Sequence, residues 1–169
     1  MKLPSADPRF APAVVLAASI LMLGAALLFQ YIGGLQPCVL CVYQRYPYGI
    51  AIALSLTALA LAARPEGVTL SKFLVYACGL LFLIGMGIAA FHVGVEQHWW
   101  EGTSGCGATN APKTLEELRA MLESQPVVRC DEVPWSLFGI SMAGYNVIVS
   151  ALLVAFCVIA PGRAQGKAA

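Results

Sequence analysis

The stretch from residue 13 to residue 45, AVVLAASILMLGAALLFQYIGGLQPCVLCVYQR, joins a long apolar run to a C-x-x-C pair of cysteines. The apolar part is long enough to cross a lipid bilayer, since a spanning helix needs about 20 apolar residues. Cys38 and Cys41 follow at the point where this run would leave the lipid. The C-x-x-C spacing is typical of a reversible disulfide. The stretch therefore predicts a membrane helix with a redox-active pair at its end.

The composition of the whole chain is that of a membrane protein. Its 169 residues are 59% hydrophobic and 11% charged, and the mean hydropathy is +0.77. Ordinary soluble domains carry about twice that share of charged residues. The formal net charge is +1 and the basic residues form no cluster, so we expect no nucleic-acid partner. The length suits one membrane domain, residues 1–169.

Apolar stretches of spanning length occur at four places in the chain. They cover residues 13–35, 46–63, 73–92 and 143–160. Helices are expected there, because lipid offers the backbone polar groups no other partners. We predict an all-α membrane protein, a bundle of four transmembrane helices. The first stretch exceeds the apolar core of a signal peptide, about 7–15 residues, so we expect a retained helix.

The basic residues near the four stretches predict the orientation. Six of them fall on one side if the chain crosses four times: Lys2, Arg9, Arg64, Lys72, Arg163 and Lys167. The side richer in lysine and arginine is normally cytoplasmic. Both termini are then cytoplasmic and the cysteine pairs periplasmic, in an oxidising compartment. The orientation is that of a multi-pass membrane protein whose outer side, in a bacterium, is the periplasm.

A long polar loop, residues 93–142, carries a second cysteine pair, Cys106 and Cys130. Thr114 and Glu117 form a capping box that predicts a short amphipathic helix ending before Pro126. We expect this helix to lie on the membrane surface, although packing on a small core of the loop is an alternative. The tryptophans fit an aromatic belt at the interface rather than a substrate-stacking site: Trp99, Trp100 and Trp135.

The four outer cysteines allow three interpretations. Two structural disulfides are the plainest one, but the Cys38–Cys41 loop is too small to stabilise the fold much. A four-cysteine zinc site is disfavoured by the wide spacing of the second pair and by the oxidising compartment. We favour a redox relay without a metal, because Cys41 lies near a helix start that favours a thiolate. Cys78 and Cys157 lie within apolar stretches and are expected to be inert.

Arg45 follows Cys41 by four residues and lies at the predicted membrane edge. It either extends to the lipid phosphates or stabilises an anion of a lipid-soluble oxidant. A quinone suits the second role, because it is planar, apolar and takes up two electrons, as one dithiol releases. A histidine could supply protons, since histidine titrates near neutral pH, and the candidates are His92 and His98.

The chain resembles the DsbB family of quinone-dependent thiol oxidases of the bacterial inner membrane. The resemblance rests on the run Cys38-Val39-Leu40-Cys41-Val42-Tyr43-Gln44-Arg45, on the two loop cysteines, and on Trp135-Ser136-Leu137-Phe138-Gly139-Ile140-Ser141-Met142. In the related vitamin K epoxide reductases the loop cysteines precede the C-x-x-C motif, whereas here they follow it.

The resemblance implies a mechanism and a set of site residues. A reduced DsbA-like thioredoxin-fold protein would attack Cys106, Cys130 would then bond to Cys38, and Cys41 would be freed as a thiolate beside ubiquinone or menaquinone. The resemblance also implies that Arg45 and His92 lie beside the quinone. The expected activity is that of a protein-dithiol:quinone oxidoreductase that sustains disulfide bond formation. A non-enzymatic membrane assembly protein, stapled by disulfides, is the alternative from another class.

Overall fold

The computed structural model describes residues 7–103, 106, 114–116, 119 and 128–163. The helices within these ranges are α1 (Phe10–Tyr31), α2 (Val39–Tyr43), α3 (Arg45–Leu61), α4 (Val68–Glu96) and α5 (Met142–Arg163). A 3-10 turn, Pro65–Gly67, leads into α4, and two short strands precede α5, β1 (Ser136–Leu137) and β2 (Ile140–Ser141).

The long helices alternate in direction, so one end of the bundle collects their cysteine-bearing and polar termini. At the opposite end Phe10, at the start of α1, packs its ring against Phe156 near the end of α5, with 6.3 Å between centroids. Ser71, near the start of α4, lines the same cleft as Phe10. At the cysteine end, Gln30 near the end of α1 contacts Arg45 at the start of α3.

The helical core is built from small and aromatic side chains. Ala51, Cys78 and Phe82 are fully buried in one cluster that also includes Val15 and Cys157. Small residues let helix backbones approach closely, which matters in lipid, where no hydrophobic effect drives helices together. As predicted, Cys78 and Cys157 lie inside this core, away from the other cysteines.

Three helical segments in the described part of the chain are long and apolar enough to cross a membrane. They are Phe10–Tyr31, Pro65–Glu96 and Met142–Gly162. The chain is therefore a multi-pass helical membrane protein. α3 has 17 residues, which at 1.5 Å per residue extends about 26 Å, slightly less than the hydrocarbon thickness of about 30 Å. The predicted fourth span remains a prediction.

The helix boundaries differ from the predicted ones in two ways that affect the cysteine end. α4 continues to Glu96, one turn beyond the predicted end at His92, so His92 lies inside the helix. The segment before α3 forms a separate short helix, α2, whose N-cap is Cys38. Pro47 lies in the first turn of α3, where its missing N–H costs no hydrogen bond.

The expectation of an all-α protein is incomplete, because a small β-hairpin directly precedes α5. Ser136 pairs with Ser141 and Leu137 with Ile140. The two residues of the turn, Phe138 and Gly139, have φ values of 52° and 76°, as a type I′ turn requires. The predicted amphipathic helix falls mostly outside the described residues.

Substituting Gly94 should disturb the packing of Trp100 on α4 near the cysteine end of the bundle. A Cβ at Gly94 would overlap the Trp100 ring, whereas a Cβ at Gly87 of the same helix would meet nothing within 4 Å. Gly94→Ala should displace the Trp100 indole, shift the tryptophan emission to longer wavelength and destabilise the protein by about 1–3 kcal/mol. Gly87→Ala is the matched control. Equal emission and equal melting of the two variants would contradict the packing of Trp100 on α4.

Candidate active site

The C-x-x-C motif forms the beginning of α2. Cys38 caps the helix, and its Sγ accepts the backbone N–H of Cys41 at 3.2 Å. Both cysteines carry free thiols. Cys38 is buried and Cys41 is half-buried. The cap fixes the two sulfurs on one side of a single helical turn, so that each can influence the charge of the other.

His92 joins this pair from α4. Its Nε2 lies 3.6 Å from Cys38 Sγ, and its Nδ1 lies 2.9 Å from the side-chain nitrogen of Gln44. The sulfurs of Cys38 and Cys41 and a ring nitrogen of His92 lie within 4.8 Å of one another. His98, the other candidate, is exposed, and its Nδ1 lies 3.1 Å from the Glu96 carbonyl. Of the two histidines, His92 is the one beside the dithiol.

The two thiols differ in their acidity. A hydrogen bond from the Cys38 thiol lowers the pKa of Cys41; burial opposes this, while the Cys38 backbone and the charge of Arg45 favour the thiolate further. Glu96 acts weakly against it. The pKa of Cys38 is raised by the same bond to Cys41 and by burial. The two shifts therefore favour Cys41 as the site of the negative charge in a singly deprotonated pair.

The loop cysteines form a disulfide, Cys106–Cys130, with 5.1 Å between the Cα atoms. This disulfide packs in one buried cluster with Cys38, Leu40 and Val95. The two cysteine pairs, far apart in sequence, therefore share one small core. Because Cys106 and Cys130 are bonded to each other, they cannot supply two of the four thiolates that the zinc hypothesis requires.

A cavity of about 330 Å³ opens beside the dithiol, between α1 and α5. Its polar lining includes Cys41, Arg45 and His92, and its apolar lining includes Phe29 and Trp135. This volume is in the range of small-molecule sites. A redox cofactor with a planar apolar ring fits these walls, and Cys41, Arg45 and His92 are the residues that could hold it.

Two groups of the cavity wall are fixed by their neighbours. Arg45 donates from Nη1 to the Gln30 side chain at 2.5 Å, so it is tied to α1 rather than extended away from the protein. The Trp135 ring lies between Phe29 and Tyr145, with centroid distances of 5.2 and 6.2 Å. Trp135 is therefore a wall of the cavity, in addition to its predicted interfacial position.

Several polar residues near the site were not predicted. Glu96, which the sequence assigned to the outer loop, is 7% exposed at the end of α4 and accepts a hydrogen bond from Ser141 at 2.5 Å. Gln44, Tyr48 and Asn146 are buried as well. Polar residues inside apolar stretches usually face the interior of a helix bundle. This rule could have indicated the burial of these residues from the sequence.

Comparison with known proteins agrees with this geometry. The family described as "Disulfide bond formation protein DsbB" matches residues 8–160. The chain belongs to the DsbB family. A DsbB relative, Disulfide bond formation protein B of Haemophilus influenzae, is 31% identical over 150 residues, covering 88% of this chain and 82% of the relative. No solved structure matches the chain.

Two further relatives extend the comparison within the DsbB family. Disulfide bond formation protein B of Verminephrobacter eiseniae is 32% identical over 160 residues, covering 86% of this chain and 81% of the relative. Disulfide bond formation protein B 1 of Pseudomonas aeruginosa is 27% identical over 168 residues, covering 93% and 96%. The family membership supports a disulfide-forming membrane protein.

The unequal acidity of the two thiols predicts selective alkylation. Below the ordinary thiol pKa of 9.0, iodoacetamide should label Cys41 first, because its pKa is lowered and only a thiolate reacts. The selectivity should persist above pH 9.0, because the raised pKa of Cys38 keeps that thiol protonated. Peptide mass spectrometry of briefly labelled, reduced protein measures both sites. Equal labelling of the two cysteines at neutral pH would contradict the assignment of the charge.

Proposed function

We propose that this protein is an inner-membrane thiol oxidase that reoxidises a periplasmic DsbA-like dithiol protein and transfers two electrons to a membrane quinone. The proposal rests on one observation above all. The Cys38–Cys41 dithiol lies between the Cys106–Cys130 disulfide on one side and an apolar cavity containing Arg45 on the other. A two-electron acceptor in the cavity could therefore take up electrons that thiols deliver through the disulfide.

The proposed membrane arrangement has four spans, with α3 as the shortest, in a single domain. Both termini are cytoplasmic and both cysteine pairs are periplasmic. The basic residues near the helix ends support this orientation, and so does the gathering of Phe10, Ser71 and Ala160 at the end of the bundle away from the cysteines. A short α3 is compatible with spanning, since bilayers thin locally around short segments at modest cost.

The proposed relay uses the four outer cysteines in order. A thiolate of the partner attacks Cys106 Sγ; the Cys106–Cys130 bond breaks, and its electron pair stays on Cys130. The Cys130 thiolate then attacks Cys38 in an oxidised Cys38–Cys41 pair, and Cys41 leaves as a thiolate. The second thiol of the partner then attacks the partner's own sulfur in the mixed disulfide with Cys106. This step breaks the mixed disulfide and releases the oxidised partner. One partner disulfide is formed and two electrons reside on this chain.

The cavity residues complete the proposed reaction. When bound, ubiquinone or menaquinone would accept the two electrons together with two protons. Cys41 would face its ring, Arg45 would stabilise negative charge that develops on a ring oxygen, and His92 would lie on the dithiol side. Trp135 and Phe29 would exclude water from the ring. These roles use the positions of the side chains in the cavity wall.

Removing Cys41 should abolish quinone reduction. The assay uses purified protein in detergent, a reduced DsbA-like partner and a soluble ubiquinone analogue whose absorbance is followed over time. Cys41→Ser lacks the sulfur that transfers the electrons, so no turnover is expected, and the same holds for each of the other three outer cysteines. Cys78→Ala is the matched control, since Cys78 is buried in the helical core, and it should retain turnover.

Two outcomes would overturn the proposal. Turnover by Cys41→Ser would remove Cys41 from the relay. Inert disulfides in the unchanged protein, with no quinone reduction and resistance to mild reductants, would favour the disulfide-stapled assembly protein, because structural disulfides resist exchange whereas relay disulfides exchange readily.

Arg45→Ala should raise the apparent KM for the quinone analogue by about tenfold, the effect of losing a hydrogen bond to a charged group. The partner's KM should not change, because neither Cys106 nor Cys130 lines the cavity that contains Arg45. Gln30→Ala is the control that removes the partner holding Arg45 in place but keeps the charge, so a smaller effect is expected. An unchanged quinone KM in Arg45→Ala would indicate that Arg45 only contacts lipid phosphates.

A further inference from the structure

The tip of the β-hairpin is an apolar surface that the proposed relay does not use. Its four residues, Leu137, Phe138, Gly139 and Ile140, carry no polar side chain. Phe138 in the turn is 90% exposed, more than any other large hydrophobic residue in the described part of the chain. A single exposed apolar residue is common in proteins, so the backbone of Phe138 and the position of the hairpin decide what this surface contacts.

Phe138 has a backbone conformation that is unfavourable for its residue type. Its φ is 52°, and the φ of Gly139 is 76°. A type I′ turn requires positive φ at both central residues, and asparagine or aspartate followed by glycine is the preferred pair. A bulky side chain at positive φ is rare and costs free energy. The turn alone would favour asparagine at position 138, which indicates that the aromatic ring serves a contact outside the hairpin.

Two contacts place the hairpin level with the ends of two membrane-spanning helices. The Trp135 ring, one residue before β1, lies 5.2 Å from the ring of Phe29 in the last turn of α1. The hydroxyl of Tyr145, in the first turn of α5, donates to the Leu137 carbonyl at 3.0 Å. Phe29 and Tyr145 both belong to segments that are long and apolar enough to cross a membrane. The hairpin therefore lies at the depth where these helices leave the lipid.

Apolar side chains are also exposed on the two helices beside the hairpin. Leu28 and Tyr31 are exposed in the last turn of α1, and Leu152 is exposed further along α5. Exposed apolar side chains of a spanning helix face lipid, whose tails are equally apolar. The hairpin tip thus adjoins the lipid-facing surface of two spans, and the bilayer is the partner within its reach.

We propose that the hairpin tip is a membrane anchor whose Phe138 ring inserts into the lipid interface at the cysteine end of the bundle. Apolar side chains of interfacial segments enter about 5–10 Å into the boundary between headgroups and acyl chains. Removal of the ring from water is favourable, and this gain offsets the cost of positive φ at Phe138. The turn backbone remains at the level of headgroups and water, where its polar groups find hydrogen-bond partners.

The anchor has a consequence for the cavity that rests on the proposed function. Trp135 and Leu137 line the cavity, and so do Met22 and Leu23, about two turns further into α1 than Phe29. The cavity therefore extends from the hairpin into the part of the bundle that lies within the lipid. A tip held in the interface keeps this wall beside the lipid, from which a membrane quinone would enter.

Photo-cross-linking in a bilayer tests the anchor. p-Benzoylphenylalanine replaces Phe138, the purified protein is placed in phosphatidylcholine nanodiscs, and intact-protein mass spectrometry after irradiation measures the fraction that carries a lipid adduct. The same replacement of Leu152, which is exposed within the α5 span, is the positive control. Replacement of Glu101, an exposed charged residue after α4, is the negative control. The adduct fraction at position 138 should approach that at position 152 and exceed that at position 101 severalfold.

A second variant makes the test independent of the unnatural residue. Phe138→Trp adds one tryptophan to the three that the chain already has, and the unchanged protein gives the emission to subtract. The added emission should be quenched more by lipids brominated near the headgroup than by lipids brominated near the chain end. It should also resist acrylamide, a quencher that stays in water.

Two results would overturn the anchor. One is an adduct fraction at position 138 as low as that at position 101. The other is added emission from Phe138→Trp that acrylamide alone quenches, as expected for a ring in water, or that neither quencher affects, as expected for a ring covered by protein. Neither measurement involves quinone or a protein partner. A failure of the anchor is therefore distinct from a failure of quinone reduction by the unchanged protein.

Discussion

The contact between α2 and the end of α4 is the constraint on which the site depends. α2 has five residues, far fewer than a helix needs to be stable by itself. It is held by tertiary contacts, chiefly buried Leu40 and the 3.6 Å approach of Cys38 to His92. The geometry of the dithiol is therefore fixed by α4 and by the loop disulfide cluster rather than by local helix propensity.

This dependence gives the two sulfurs of the motif different surroundings. Both cysteines line the cavity, but Cys38 is buried among Leu40, Val95 and the loop disulfide, whereas Cys41 is only half-buried against that cluster. A C-x-x-C motif in a symmetric environment would leave either sulfur free to react with either side. The short helix instead gives the two sulfurs unequal burial, which supports different roles for them in the proposed relay.

The sequence predicted the features that depend on local pattern. The length of the apolar stretches predicted the long helices, and the spacing of Cys38 and Cys41 predicted the dithiol. The hairpin around Phe138 and the burial of Glu96 were missed, because a six-residue strand–turn–strand has little periodicity and α4 continues beyond its apolar stretch. The bond between Asn146 and Gln44 joins residues 102 positions apart, and no local pattern in a single sequence indicates such a partner.

Polar side chains in the bundle are tolerated because nearly all of them are paired. Among the described buried side chains, the Ser19 hydroxyl alone has no hydrogen-bond partner. An unpaired group in this interior would cost free energy, whereas a paired one is close to neutral. The pairing has a structural consequence beyond stability. Asn146 Nδ2 donates to Gln44 Oε1, and the Gln44 amide nitrogen lies 2.9 Å from His92 Nδ1, so these buried amides join α5, the segment before α3 and α4 beside the dithiol.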